Sequence, residues 1–400
     1  MVNTTKTLQM NSASIEPQVP SDIDPKKTKV AVGVSGGVDS SVTAMLLKKQ
    51  GFDVVGVYMQ CWDENTPGCT SEKDRADAVR ICADLGIMFE HLDFQCDYKA
   101  KVIDHFFAEY EAGRTPNPDI LCNKEIKFGL FLNWAIENGF DYVATGHYAQ
   151  VEKSDESYKL LRGLDSTKDQ SYFLHLLTQE QLSRTLFPIG HLKKDDLRVI
   201  AKENNLITYN KPDSVGICFI GEVNIKDFLA QRISEKKGNV VTDAGDIIGS
   251  HDGVWFYTIG QRHGFTITKY TGLPMYIIGK DVEKNELIVG PASKVLKREF
   301  RVQNPHWICG VPEFPLNCQV RIRHLGELYD AKVEQVIVES SGDNSSVESN
   351  VTAENNAPVE TNAQAILNVT TTEEIFGIAP GQSAVFYDGM ETLGGGVIVE

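Results

Sequence analysis

Two cysteines and a serine-rich glycine turn hold the side chains of this sequence best suited to chemistry. Cys122 ends the stretch Gly113-Arg114-Thr115-Pro116-Asn117-Pro118-Asp119-Ile120-Leu121-Cys122, with Asn123 and Lys124 following. Two prolines stiffen that loop and set Asp119 and Cys122 close together just ahead of a helix. A thiol near a helix N-terminus, beside Lys124 and Lys127, has its thiolate favoured, which makes Cys122 a candidate nucleophile. The plainer reading is an inert cysteine in a proline turn. Cys218 lies in Asp213-Ser214-Val215-Gly216-Ile217-Cys218-Phe219-Ile220-Gly221. Glycines on both sides suggest a loop able to bring it to a site formed elsewhere. Together the two thiols suit reversible disulfide chemistry, one resolving what the other has made.

The glycine turn is Val30-Ala31-Val32-Gly33-Val34-Ser35-Gly36-Gly37-Val38-Asp39-Ser40-Ser41. An apolar run stops at two glycines, and Val42, Met45 and Leu46 follow Ser40 at helical spacing, so the stretch reads as strand, tight turn, helix. Serine hydroxyls and the unpaired N–H groups of a helix start make such a concavity suit a phosphate. No Gly-Lys-Ser/Thr follows, which excludes the Walker arrangement, and no general dinucleotide fingerprint is present. The turn resembles the PP-loop, Ser-Gly-Gly-x-Asp-Ser, of ATP pyrophosphatases, which cut ATP between its α and β phosphates.

These residues need elements to hold them. From Lys29 to Ala149 strand and helix patterns alternate, which predicts an α/β, Rossmann-like, doubly wound parallel sheet. The strands are expected at Val30 to Val34, Val54 to Tyr58, Ile87 to Leu92 and Tyr142 to Thr145. Helices are expected at Lys73 to Leu85, Tyr98 to Glu111 and Lys124 to Asn138. Ligands bind such sheets at the carboxyl ends of the strands, where Gly33 to Ser40, Met59 and Gly146-His147 fall. Lys168-Asp169-Gln170 precedes an apolar helix expected near Tyr172. Lys193, Lys194, Arg198 and Lys202 stud another, as a solvated face or a contact for a phosphate backbone. After about Asn224 short β runs with glycine turns take over: Val254 to Ile259, Met275 to Ile278, Leu287 to Val289, Gln319 to Ile322, Lys332 to Val338, Ser383 to Tyr387 and Gly396 to Val399. They read as two smaller β-rich domains, the last a β-barrel. His147, His263 and His324 have no metal-binding spacing, and no metal site is expected.

The expected organisation is an N-terminal extension (1–28), a catalytic domain (29–223), a central β-rich domain (224–297) and a barrel (298–400). Four hundred residues, 42% hydrophobic, are enough for two or three cores. The first 28 residues are polar, lack arginine and carry Glu16, Asp22 and Asp24, unlike a secretory or mitochondrial leader. They read as a disordered cytoplasmic extension, and no apolar run reaches the roughly 18 residues of a membrane span. Eight scattered cysteines without a CxxC pair suit a reducing, cytoplasmic setting. Cys82 shares a helical face with Ala76, Val79 and Ala83 and is expected in the core. Cys96, Cys309 and Cys318 are expected to be small buried hydrophobes, and Cys61 and Cys69 plain loop cysteines. The net charge of −16 speaks mildly against a nucleic-acid partner, yet residues 339–374 supply −7 of it with no Lys or Arg. Within them, 341–363 is rich in Ser, Asn, Thr and Glu and reads as a disordered acidic insertion.

Seven motifs then point one way: Ser-Gly-Gly-Val-Asp-Ser, Arg-Thr-Pro-Asn-Pro-Asp-Ile-Leu-Cys-Asn, Ala-Thr-Gly-His-Tyr, Lys-Asp-Gln-Ser-Tyr-Phe-Leu, Gly-Ile-Cys-Phe-Ile-Gly, Tyr-Thr-Ile-Gly-Gln-Arg and Pro-Gly-Gln-Ser-Ala-Val-Phe-Tyr. In this order they resemble the bacterial tRNA-specific 2-thiouridylase family, from about Lys29 to the C-terminus less the insertion. The resemblance implies ATP-dependent replacement of the C2 oxygen of the wobble uridine by sulfur. It implies tRNA, bound through its anticodon region, a persulfide relay protein or cysteine desulfurase as sulfur donor, and magnesium with the ATP. Carried over, Gly33, Val34, Ser35, Gly36, Gly37, Val38, Asp39, Ser40, Met59 and Gly146 bind ATP. Asn117, Pro118 and Asp119 meet the target base, with Asp119 orienting it or moving a proton. Cys122 is the nucleophile and Cys218 the persulfide carrier, and the two form a transient disulfide. His147, Lys168, Asp169, Gln170, Arg323, His324 and Gln382 contact tRNA, although His324 stands where an aromatic such as tyrosine is expected. The alternatives are a PP-loop ligase that adenylates a small carboxylate or amide and adds nitrogen, a noncatalytic tRNA-binding or nucleotide-sensing protein, and a thiolase whose Asp119, Cys122 and Cys218 hold an iron–sulfur cluster.

Overall fold

The structure, a computed structural model, describes residues 16, 18–62, 71–154, 157–213, 216–221, 223–269, 272–338, 348–349 and 364–399. Five parallel strands form the first sheet: β1 (Lys29–Gly33), β2 (Asp53–Gln60), β3 (Met88–Asp93), β4 (Tyr142–Ala144) and, after a hairpin of β5 (Ala149–Lys153) and β6 (Tyr158–Arg162), the two-residue β7 (Thr185–Leu186). Their order is β3-β2-β1-β4-β7, with Val30 opposite both Val54 and Tyr142. Val30, Ala31 and Val32 have no exposed surface, as expected of a central strand covered on both faces. The chain leaves β1 toward β2 on one side and later returns to β4 on the other. The gap outside the carboxyl ends of β1 and β4 is therefore the sheet's switch point, where ligands of such folds bind.

Two helices flank that gap. α1 (Val38–Gln50) starts at Gly37, already before Ser40, and stops at Gly51, whose φ of 100° suits glycine. α2 (Ser71–Leu85) buries Ala78, Ile81 and Cys82. A Cβ at Gly56 in β2 would lie 2.3 Å from the Cys82 sulfur, so Cys82 is a core cysteine, but it is buried with Ala78 and Ile81, while Ala76, Val79 and Ala83, expected on its face, are exposed.

The central domain is a five-stranded sheet of β8 (Gly238–Thr242), β9 (Ile247–His251), β10 (Thr266–Ile267), β11 (Tyr276–Asp281) and β12 (Glu286–Gly290), in the order β10-β9-β8-β12-β11. The strand expected at Val254 to Ile259 is absent. Val254–Phe256 is a 3-10 turn, because the Asn285 side chain accepts the Val254 N–H at 3.0 Å and takes it out of any ladder. The last domain contains β13 (Leu296–Trp307), β14 (Leu316–Arg321), β15 (Tyr329–Val338), β16 (Glu348–Ser349), β17 (Gln364–Phe376), β18 (Ser383–Asp388) and β19 (Glu391–Ile398). The path β13-β17-β15-β14-β18-β19 returns to β13, so six antiparallel strands close a barrel and leave few free edges. Within the expected insertion Glu348 and Ser349 pair with Val338 and Ile337, and the remainder lies outside the described residues.

The parallel-sheet domain is not simply tethered to the barrel. The β5–β6 hairpin, unanticipated from sequence, extends the barrel sheet through Leu161 opposite Glu391. Below it the fully buried Asp169 receives Arg321 of β14 at 2.9 Å and Arg162 at 3.2 Å. Tyr172 donates to the Ser383 carbonyl at 2.9 Å from a single 3-10 turn, Ser171–Leu174, where a helix was expected.

Candidate active site

The glycine turn is built by close approach. A Cβ at Gly36, where φ is 73°, would sit 2.3 Å from the Asp74 carbonyl of α2. A Cβ at Gly146 would sit 2.8 Å from the backbone of Asp39 and Ser40. Both positions therefore require glycine, and Gly146 marks where the end of β4 meets the start of α1. Met59, at the end of β2, lies over Gly33 with its methyl 3.2 Å from where a Cβ would be. Ser40 Oγ accepts the Ser35 N–H at 3.2 Å, Ser41 donates to the Gly37 carbonyl at 2.7 Å, and the first turn of α1 directs its N–H groups outward. This cradle of backbone donors and small residues fits the phosphates of ATP. Among the described residues no group of three His, Cys, Asp or Glu is arranged for a metal ion.

Three lysines brace the turn. Lys194, which is 6% exposed, donates to both Asp39 oxygens at 2.7 and 2.8 Å and pairs with Asp213 at 2.8 Å. Tyr148 also donates to Asp39, at 2.8 Å. Lys168 and Arg198 complete the set on Asp213, at 2.7 and 2.6 Å, and against the opposing effect of burial Lys168 and Lys194 hold its carboxyl at about 2. Lys211 donates to the Gly36 carbonyl at 2.9 Å and pairs with Asp74 and Asp77 of α2. The expected basic face on the helix Lys194–Glu203 is thus partly turned inward, with Lys194 and Arg198 engaged with protein groups. Lys211 and Tyr148 were not singled out in the sequence. The Lys-Pro-Asp run before the Cys218 loop was the available signal for the first.

The two cysteines meet, in states opposite to the expectation for Cys122. The helix begins at Pro118, with Asn117 as its cap, its Oδ1 accepting the Asp119 N–H at 3.1 Å. It runs through a π-helical stretch, Cys122–Leu130, into Phe131–Glu137. Cys122 is therefore one turn inside the helix and fully buried, and burial together with Cys218 pushes its thiol well up. The helix start does not make it a thiolate. Cys218 sits partly exposed on the tight turn Ile217–Gly221, closed by the Ile217 and Gly221 backbones at 3.1 and 2.9 Å. Phe219, next in line, is left-handed at φ 67°, a costly state for an aromatic residue. Asp119 accepts the Cys218 N–H at 3.0 Å, and Tyr98 donates to the Cys218 carbonyl at 2.6 Å. A hydrogen bond from the Cys122 thiol and the nearby Lys127 ammonium bring Cys218 down to about 7, against the effect of burial. Burial raises Asp119. Cys61, at the end of β2, is buried in the same core cluster rather than a plain loop cysteine, and its thiol is pushed well up by burial. Cys69 lies outside the described residues, and Cys96 and Cys309 are exposed rather than buried.

The residues expected on tRNA divide. Lys168 is one-third exposed and Arg323 is exposed. Asp169 has no exposed surface, and its carboxylate is filled by two arginines and the Gly163 and Ser171 N–H groups. Gln170 accepts the Tyr148 N–H at 2.9 Å. His147 is buried beside Lys127, where burial and that ammonium keep its imidazole neutral. In this structure Asp169 and His147 hold the frame and offer no face to an RNA. His324 lies on Phe173 with ring centroids 4.1 Å apart. Gln382 donates to the Thr115 carbonyl at 2.7 Å, so it supports the loop carrying Asn117, Pro118 and Asp119.

A parallel-sheet domain with a glycine turn at its switch point, a cysteine pair one helix away and a closed barrel behind defines a class, the PP-loop nucleotide enzymes that work with thiols. Family descriptions agree along the chain: a tRNA methyl transferase HUP domain matches residues 28–222, a tRNA methyl transferase PRC-barrel domain 226–291, and an aminomethyltransferase beta-barrel domain 297–340 and 350–398. A tRNA-specific 2-thiouridylase MnmA from Geobacillus thermodenitrificans is 44% identical, over 94% of this chain and 96% of its own length. Proteins of the same name from Bacillus subtilis and Enterococcus faecalis are each 43% identical, over 94% of this chain and 95% and 96% of theirs. The chain belongs to the tRNA-specific 2-thiouridylase family.

Proposed function

We propose that this chain 2-thiolates the wobble uridine of tRNA, using ATP and a persulfide sulfur donor. The observation that carries the reading is the meeting of Cys122 and Cys218 beside Asp119 and Lys127, joined to the glycine turn by Gly146, which packs on Asp39 and Ser40, and by His147, whose Nε2 lies 3.4 Å from the Lys127 Nζ. A uracil carbonyl is a poor electrophile. ATP supplies the adenylyl group that makes its oxygen a leaving group, with magnesium on the phosphates. Gly33 to Ser40 and the start of α1 hold those phosphates and receive the departing pyrophosphate. The base is turned out of the anticodon stack and lies against Asn117, Pro118 and Asp119. Cys218 accepts sulfur from the donor protein and carries it to C2. Cys122 then attacks the inner sulfur of the Cys218 persulfide, releasing the outer sulfur, and the resulting Cys122–Cys218 disulfide is reopened by a dithiol reductant.

The exposure of the Cys218 turn supports its role as the acceptor, and the burial of Cys122 supports its role as the resolving thiol. No helix among the described residues is long and apolar enough to cross a membrane, and we assign the enzyme to the reducing cytoplasm, where the disulfide can be reopened. The test is mass spectrometry of nucleosides from unmodified tRNA incubated with the protein, ATP, magnesium and a sulfur source. ATP-dependent 2-thiouridine is expected. Its absence with a complete sulfur relay present refutes thiolation.

A further inference from the structure

The π-helical stretch Cys122–Leu130 does more than carry Cys122. Its i to i+5 repeat stacks Lys127 one wide turn beyond Cys122, facing the same way. There the Lys127 Nζ lies 3.4 Å from His147 Nε2 and 5.7 Å from the centre of the ring of Phe219, the residue after Cys218, so its charge and that of a Cys218 thiolate favour each other. His147 makes its other contact to Thr145 Oγ1 at 2.7 Å. A neutral imidazole with Nδ1–H on Thr145 leaves Nε2 as an acceptor, so it aims the ammonium without neutralising it.

We infer that Lys127 is a positioning residue that holds its ammonium on the Cys218 sulfur and thereby makes Cys218, not Cys122, the thiol that accepts sulfur. The groups facing this ammonium are Cys122 and Asp119 on its own helix, Cys218 on the turn, His147 after β4 and Cys61 after β2; beyond them, Asp93 of β3 acts on Cys61, and Tyr98 adjoins Cys122, Cys218, Asp119 and Cys61. Asp119 is already hydrogen-bonded to the Cys218 N–H, and Cys122 and Cys61 are raised by burial, so Cys218 is the sulfur left to take the charge. Although burial opposes it, Cys218, Cys122 and Asp119 keep Lys127 protonated above its ordinary range.

The step served is a sulfur exchange. The Cys218 thiolate attacks the outer sulfur of a persulfide on the donor protein, and the bond from that sulfur to the donor's cysteine breaks. The donor's cysteine leaves as a thiolate and takes up the proton that the transferred sulfur gives up, so Cys218 keeps the sulfur as a persulfide anion against the ammonium. No net oxidation occurs. This inference rests on the carrier role proposed for Cys218, but its test uses neither tRNA nor ATP and so fails independently of the thiolation reading.

The experiment is the pH profile of Cys218 alkylation, read by peptide mass spectrometry, in the wild-type chain, Lys127→Gln and Lys127→Arg. The wild type is expected to ionise with a midpoint near 7 and to alkylate at Cys218 well before Cys122. In Lys127→Gln the midpoint moves up toward the free-thiol value of about 8.5, so the rate at pH 7 falls roughly tenfold or more and converges with wild type above pH 10. Lys127→Arg keeps the low midpoint, which a merely structural role does not predict. An unchanged midpoint in Lys127→Gln overturns the assignment. If that variant does not fold, a wild-type Cys218 midpoint at or above 8.5, or Cys122 alkylating first, overturns it equally.

Discussion

The helix that carries Cys122 and the turn that carries Cys218 bring like side chains together in unlike states. The helix is capped by Asn117, buries Cys122, Ile126 and Phe128, and gives the thiol no water with which to ionise. The turn is short, partly exposed and strained at Phe219, and it hangs on two hydrogen bonds, to Asp119 and from Tyr98. A buried thiol keeps its proton and a thiol beside an ammonium loses it, so the same residue type divides into donor and acceptor within one contact. Chemical role follows from the support behind each sulfur. Distance from a helix start decides nothing here.

The largest expected effect on this contrast is Cys122→Ser, which should lower 2-thiouridine formation at least about a thousandfold with a persulfide donor, since no thiol remains to resolve the Cys218 persulfide, and far less with free sulfide, which forms no such persulfide. A smaller loss, about 10- to 100-fold in kcat, is expected for Asp119→Ala, which frees the Cys218 N–H, whereas Asp119→Asn retains an acceptor and should separate anchoring from charge. Gly129→Ala and Gly221→Ala compare the two supports directly. A Cβ at Gly129 would lie 2.9 Å from the Lys124 carbonyl and force the wide helical turn to shift, an expected cost of about 1–3 kcal/mol by denaturation. At Gly221, with φ 91° and nothing within 4 Å, only backbone strain is added, about 1 kcal/mol.

The smallest effect is the pH dependence of stability, where the two thiols act with opposite sign. Cys218 is held near 7 when folded, below its unfolded value, so its contribution is complete above that unfolded value and is lost as pH falls through about 7. Cys122 is raised when folded, so its contribution is complete below the unfolded thiol value of about 8.5 and is lost as pH rises above it. Together they predict a shallow optimum near pH 8, of order 1 kcal/mol, in denaturant midpoints across pH 6 to 10. Cys218→Ser should remove the fall on the acid side and Cys122→Ser the fall on the alkaline side.

Much of this was legible. The glycine turn announced itself because apolar alternation, paired glycines and a helical pattern change within twelve residues. The helix start was misplaced at Lys124 although Asn117-Pro118 is a cap followed by a proline at the first helical position, a signal strong enough to have moved it. The neutral state of Cys122 was not legible, because its burial belongs to a core cluster that also takes in Ile217 and Ile220, nearly a hundred residues further along. Asp169 was expected on tRNA together with Lys168 and Gln170, and only Arg321, contributed by the barrel, turns it into an internal anchor. The longest barrel strands, Leu296–Trp307 and Gln364–Phe376, were missed. Lys297, Arg298, Glu299 and Arg301 break the alternation of the first, and the second begins just after the acidic stretch read as disordered.

The most direct measurement is the yield of 2-thiouridine from tRNA, ATP and magnesium with wild type and Cys218→Ser, each supplied in parallel with free sulfide and with a protein persulfide. Cys218→Ser is expected to retain activity with sulfide and to lose it with the persulfide, because only the second route needs a carrier. Equal activity of Cys218→Ser and wild type with the persulfide donor would contradict it.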